Sequence, residues 1–191
     1  MAETTDQKTL NFDELYEEYG DRILNMVYRM TGEEEAARDL TQDIFMKVYE
    51  NLEDFKYQSS AYTWIYRIAT NHTLNYLKKR NRYKWLDLLE RSVSEVIQSE
   101  TPIFEFWGND GFESPDMKLE KEEREVLVWK LIQKLPVKYR LPLVLQRYDE
   151  MGNKEIADVM DLSISAVDSR IYRAKKKLLD LMKPHLEDLR G

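Results

Sequence analysis

Residues 148–178 read "YDEMGNKEIADVMDLSISAVDSRIYRAKKKL", two short helical patterns separated by a tight turn. Gly152 or Asn153 can begin the first, over about residues 154–160, with Ile156, Ala157 and Met160 facing inward. Asp161-Leu162 makes the turn, and the Ser163 hydroxyl suits an N-cap, where it accepts from an orphan backbone N–H of the next helix. Beyond it Val167, Ile171, Ala174 and Leu178 recur at helical spacing and form a stripe for burial. Steps of about 100° per residue from Val167 put Ser165, Ser169, Tyr172, Arg173 and Lys176 on the opposite side, flanked by Arg170 and Lys177. A small residue where helices cross, a tight turn and a polar, cationic second helix are what a helix-turn-helix needs to enter the major groove. Arg can read guanine, Ser can bond several base edges, and flanking cations can hold phosphates. A plain helical hairpin with a solvated basic face has the same pattern, so this stretch alone leaves both readings open.

Working outward, the charge is unevenly placed. The chain of 191 residues has a formal net charge of −7, yet residues 1–54 hold 15 acids and 5 bases. Residues 55–86 hold seven bases and no acid, and residues 165–183 hold six bases and two acids. Two separated cationic blocks in an acidic chain imply contact with polyanion at two places. There is no Cys, which removes disulfides and thiolate metal sites, and the two His, His72 and His185, have no metal-ligand spacing. The opening "MAETTDQKTL" lacks the apolar core of a secretory signal, and no apolar run reaches the ~20 residues of a membrane span. A soluble cytoplasmic protein without membrane insertion is expected.

Nearly every periodic segment has helical spacing, so the expected fold is all-α. It comprises two small helical domains, 1–90 and 118–191, joined by a linker at 91–117, the second containing the helix-turn-helix. A first helix over about 11–30 should bury Phe12, Leu15, Tyr16, Tyr19, Ile23, Met26 and Val27 and stop at Gly32. A second, over about 33–52, should bury Ala37, Leu40, Ile44 and Val48, and a third should run from about 60 to 80. Pro102, Gly108, Gly111 and Pro115 break the linker, while Phe104, Phe106, Trp107 and Phe112 imply that it docks on something. Helical pattern resumes near residue 118, and Pro142 is expected to start or kink a helix.

Two further faces carry chemistry. On the second helix Glu35, Asp39, Gln42, Asp43, Met46 and Glu50 project away from the apolar stripe. An acidic, partly apolar face suits a basic partner protein better than DNA, although most such faces are simply solvated. In the third segment Tyr62, Trp64, Tyr66 and Tyr76 interleave with Lys56, Arg67, Lys78, Lys79 and Arg80. Cations hold a backbone while aromatic faces accept unstacked or flipped bases. Trp64 and His72 fall near the apolar arc and are expected in the core; Tyr62 and Tyr66 lie off it and are expected to make contact.

"LPVKYRLPLVLQRY" followed by "KEIADVMDLSISAVDSRIYRAKKKL" resembles the C-terminal helix-turn-helix of bacterial sigma factors, in particular the extracytoplasmic-function group of the sigma-70 family. "DLTQDIFMKVYENLEDF", residues 39–55, resembles the family's segment that grips the clamp of RNA polymerase. "YTWIYRIATNHTLNYLKKRNR", residues 62–82, resembles its segment that melts and captures the minus-ten element. The resemblance implies a transcription initiation factor with no catalytic step, no cofactor and no metal. Its implied partners are core RNA polymerase, promoter DNA and an anti-sigma factor. Carried over by position, Asp39, Gln42, Asp43 and Met46 would bind polymerase. Lys56, Tyr62, Tyr66, Arg67, Asn71, Lys78, Lys79 and Arg80 would meet minus-ten DNA. Ser165, Asp168, Ser169, Arg170, Tyr172, Arg173, Lys176 and Lys177 would meet the minus-thirty-five element.

Three positions depart from the family's pattern. Asp161 stands where Gly is usual in the turn, and Asp tolerates the left-handed conformation. Ala61 replaces an aromatic before Tyr62, which bears on the loop "KYQSSA" that would hold a flipped base. Asp168 stands where Lys or Arg often faces DNA; a carboxylate repels phosphate but accepts from cytosine N4. A regulator binding operators without polymerase would explain the second half but leave residues 55–86 unused. An enzyme is disfavoured, because there is no Gly-rich phosphate loop, metal cluster or nucleophile-base pairing.

Overall fold

The computed structural model describes residues 10–57, 59–90 and 126–185, the side chains of 83–90 excepted. The expected linker at 91–117, its aromatics and the onset of helix near 118 lie outside the described residues. Helix α1 spans Phe12–Thr31, α2 Glu34–Glu50 and α3 Ala61–Glu90. Helix α4 is described over residues 126–133; α5 spans Val137–Tyr148, α6 Asn153–Met160 and α7 Ile164–Met182, closed by a turn of 3₁₀ helix at Lys183–His185.

Local chemistry places the ends. The Asn11 side chain accepts from Asp13 N at 2.9 Å and starts α1. Gly32, at φ 77°, ends it in the left-handed conformation and donates its N–H to Tyr28 O at 2.8 Å. Ser60 Oγ accepts from Thr63 N at 3.1 Å ahead of α3, which runs beyond the expected end near residue 80 to Glu90. Pro142 does not start α5; it sits buried inside it, where its missing N–H removes one internal hydrogen bond.

The first three helices bury Leu15, Ile23, Met26, Ile44, Val48 and Ile65 between them. Tyr16, expected inside, is 53% exposed: its ring lies edge-on to Phe45 at 4.9 Å while the phenol reaches water. The second helical group closes on Leu141, Val144, Ile156, Val167 and Ala174.

The two groups pack on one another, α1 against α5 and α3 against α6, and their buried residues form one cluster. Three donors converge on the last carbonyls of α1, the negative end of its dipole. Arg140 Nη1 donates to Met30 O at 2.8 Å and Gln133 Nε2 to Arg29 O, while Arg80 Nη1 reaches Thr31 O at 3.4 Å and Glu33 Oε1 at 2.9 Å. Burial, then the nearby charge of Arg80, pulls the Arg140 pKa down to about 10. Around this point Tyr28 stacks on Trp129 at 5.5 Å, and Arg29 lies 4.2 Å over the Tyr148 ring.

Candidate nucleic-acid interface

Helices α6 and α7 make the expected helix-turn-helix. Gly152, in extended conformation, donates its N–H to Glu155 Oε2 at 2.8 Å and opens α6. Ile156 and Ala157 face inward as expected, but Val159 takes the buried place assigned to Met160, which is half-buried. The helix is short and tucked under α7, so its inner arc is shifted by one residue. Asp161 adopts φ 52°, ψ 55°, the left-handed turn that Asp was expected to tolerate. Ser163 Oγ then accepts from Ala166 N at 3.2 Å and caps α7.

On α7 Val167, Ile171 and Ala174 are buried and Leu178 half-buried. Ser165, Asp168, Ser169, Tyr172, Arg173, Lys176 and Lys177 are exposed, with Arg170 half-buried at the edge. Two of these side chains have neighbours within the fold. Hydrogen bonding by the Arg173 guanidinium lowers the Tyr139 pKa. Asp168 Oδ1 accepts from Asn153 Nδ2 at 2.5 Å, and Asn153 Oδ1 accepts from Gln146 Nε2 at 2.9 Å. Sequence reasoning missed Asn153 and Gln146, since their spacing from Asp168 has no helical period.

The second cationic segment lies at the start of α3. Lys56, Ser59, Ser60, Trp64, Arg67 and, from the other helical group, Asp158 help line a cleft of about 530 Å³. Tyr57 before it has φ 55°, a strained conformation for a non-glycine residue. Trp64 is half-buried rather than core, its ring 4.8 Å from that of Phe55.

Tyr62 and Tyr66 depart most from expectation. Tyr66 is fully buried, and its hydroxyl donates to Asp149 Oδ1 at 2.6 Å. Tyr62 is half-buried, with its hydroxyl 3.4 Å from Asp149 O. Arg67 Nε donates to Asp158 O at 2.7 Å. The second helical group thus covers one face of α3, a face that looks open when only the period of α3 is considered. Burial raises the pKa values of both Tyr66 and Asp149; the bond to Tyr66 and the charges of Arg29 and Arg22 act against the rise at Asp149. Of the remaining basic and polar candidates, Lys56, Asn71, Lys78 and Lys79 are exposed, while Arg80 is held at the end of α1.

On α2, Glu35, Asp39, Gln42, Asp43, Met46 and Glu50 are all exposed, as their spacing predicts. Met46 is accompanied by the exposed Tyr49, whose ring meets Phe12 at 5.3 Å, an apolar rim absent from the expected set. His72 is not enclosed in the core: it is half-buried, with Nε2 3.5 Å from Asp43 Oδ2. Its helical phase brings it to the seam between α3 and α2 rather than to the bundle centre. Among the described residues, no cluster of three metal-ligating side chains and no helix able to cross a membrane is found.

Comparison with known proteins matches these surfaces to described segments. Residues 15–83 match Sigma-70 region 2, and residues 125–178 match Sigma-70, region 4. RNA polymerase sigma-H factor of Pseudomonas aeruginosa is 32% identical over 180 residues, covering 93% of this chain and 89% of that protein. ECF RNA polymerase sigma factor SigW of Bacillus subtilis is 31% identical over 167 residues, covering 87% and 86%. ECF RNA polymerase sigma-E factor of Escherichia coli is 31% identical over 180 residues, covering 94% and 89%. Among solved structures, the sigma factor RpoE in complex with the anti-sigma factor NepR from Bartonella quintana superposes with a TM-score of 0.65 at 20% identity, covering 90% of this chain and 96% of that one. CnrH in complex with the cytosolic domain of CnrY gives 0.61 at 22% identity, covering 91% and 88%. These two likenesses concern the fold.

Proposed function

Since this chain belongs to the sigma-70 family, in its extracytoplasmic-function group, we propose that it binds core RNA polymerase, directs it to promoters and is restrained by an anti-sigma factor. It is an initiation factor and not an enzyme; the polymerase performs the chemistry. One observation carries the reading: an exposed cationic helix-turn-helix and a separate cleft, lined by Lys56 and Arg67 with Phe55 and Trp64 as well as by Asp54 and Asp158, occur in one chain whose two halves are matched to regions of the same family.

The roles then divide by surface. Asp39, Gln42, Asp43 and Met46 bind the polymerase clamp, an assignment supported by their common exposure on α2. Lys56, Tyr62, Tyr66, Arg67, Asn71, Lys78, Lys79 and Arg80 serve the minus-ten element, and the exposed residues of α7 serve the minus-thirty-five element. Tyr66 and Arg67 are bonded to the second helical group. They therefore meet DNA only after the two groups part. The acidic face of α2 stays open in the docked form, so polymerase can bind before that separation. Control by an anti-sigma factor is supported by relatives of the same fold described in such complexes, RpoE with NepR among them. The work is done in the cytoplasm, where the polymerase is.

The test is transcription by core polymerase on a promoter library, with and without this chain. Transcripts from a defined promoter subset, dependent on the chain, are expected. Sequence-specific DNA binding without association to core polymerase would instead identify a regulator acting alone.

A further inference from the structure

Asp168 is a carboxylate on the face of α7 that meets DNA, and it does not stand free. Asn153 Nδ2 donates to its Oδ1 at 2.5 Å, and Gln146 Nε2 donates to Asn153 Oδ1 at 2.9 Å. The chain joins three helices: Gln146 in the last turn of α5, Asn153 as the first residue of α6, and Asp168 in the second turn of α7. With its oxygen occupied by Gln146, the Asn153 amide is oriented so that its NH₂ group faces Asp168. An exposed Asp otherwise exchanges among staggered rotamers. Here one oxygen is tied down, and Oδ2 is left as a fixed acceptor.

We propose that Asn153 is a positioning residue for promoter specificity, holding Asp168 so that it accepts from a base amine, that of cytosine, in the minus-thirty-five element. This rests on the reading of α7 as the minus-thirty-five helix. The choice of base follows from the major-groove pattern. Guanine N7 and O6 and thymine O4 are acceptors and repel a carboxylate, whereas cytosine N4 and adenine N6 donate. Adenine sets its N7 acceptor beside that amine; cytosine has no second acceptor there. A carboxylate with one free oxygen therefore favours cytosine.

The test is selection of holoenzyme on a randomised minus-thirty-five library, with melting of each variant measured alongside. Wild type is compared with Asn153→Ala, Asp168→Ala, the double variant and Arg173→Ala. Asn153 occupies the first helical position, and the Gly152–Glu155 bond that opens α6 does not involve its side chain, so Asn153→Ala should fold. Asp168→Ala should reduce cytosine enrichment at one position about tenfold. Asn153→Ala should reduce it at that same position by about threefold to tenfold, with other positions and melting unchanged. The double variant should match Asp168→Ala, because both residues act through one contact. A shift with Asp168→Ala and none with Asn153→Ala overturns the positioning role. If only Arg173→Ala alters selection, α7 reads bases but Asp168 does not, and the proposal fails alone. If none of the variants alters selection, the reading of α7 has failed with it.

Discussion

Replacing Tyr66 with Phe removes one oxygen and leaves the ring to fill the same space. That oxygen donates to Asp149 Oδ1 at 2.6 Å in a fully buried setting, and Asp149 Oδ2 has no hydrogen-bond partner among the described residues. The distance is that of a charge-assisted O–H···O⁻ bond. Such bonds contribute about 1.5–3 kcal/mol, and the carboxylate left behind would have no side-chain donor within the interface. The equilibrium between docked and separated halves should therefore move toward separation by roughly 10- to 100-fold. The chain has no Cys, so labels can be placed at Lys47→Cys on α2 and Lys175→Cys on α7, both exposed. Distances between paired spin labels should show one short population in the parent and a second, longer one in Tyr66→Phe. Tyr62→Phe should act more weakly, since its bond to Asp149 O is 3.4 Å long. A lowered melting temperature with an unchanged distance distribution would refute the reasoning: the bond would then stabilise the fold without holding the halves together.

Burial raises the Asp149 pKa above the ordinary 3.8, so docking disfavours its charged form and takes up a proton. Docking should be strongest in acid, weaken as pH rises from the ordinary carboxylate range through the raised value, and level off above it; the same label pair, titrated, checks this, and Asp149→Asn should flatten the curve. Asp39→Arg combined with Gln42→Ala should abolish co-purification with core polymerase at unchanged helical circular dichroism, while undiminished recovery would leave this face as solvated surface. Arg173→Ala should cost about 1–3 kcal/mol of holoenzyme binding and relax one minus-thirty-five position. Lys177→Ala should weaken all promoters alike and lower the salt slope by roughly one unit, as fluorescence titration at several salt concentrations would read.

What the sequence discloses here is chiefly what a residue does to its own neighbours. Gly32, Asp161 and Ser163 act over a few residues of backbone, and each stands where its local chemistry places it, while Asn11, expected as the first helical residue, is instead the N-cap of α1. The stripe on α7 and the open acidic face of α2 follow from one helical period. Tyr66 and His72 were misplaced for a different reason. Their surroundings are supplied by Asp149 and Asp43, 83 and 29 residues away, and no local period encodes such pairings. Asn153 escaped notice in the same way. It is an ordinary helix-opening residue until α7 brings Asp168 beside it.

The clasp at the end of α1 bears on how the halves can come apart. Arg80 belongs to the same half as the carbonyls it serves, but Arg140 and Gln133 cross from the other. Parting the halves takes the Arg140 guanidinium from Met30 O, yet its bonds to Gln133 Oε1 and Leu135 O lie within its own half and go with it. The cation leaves with partners already in place, and the carbonyls of Arg29 and Met30 are what a separation hands back to water.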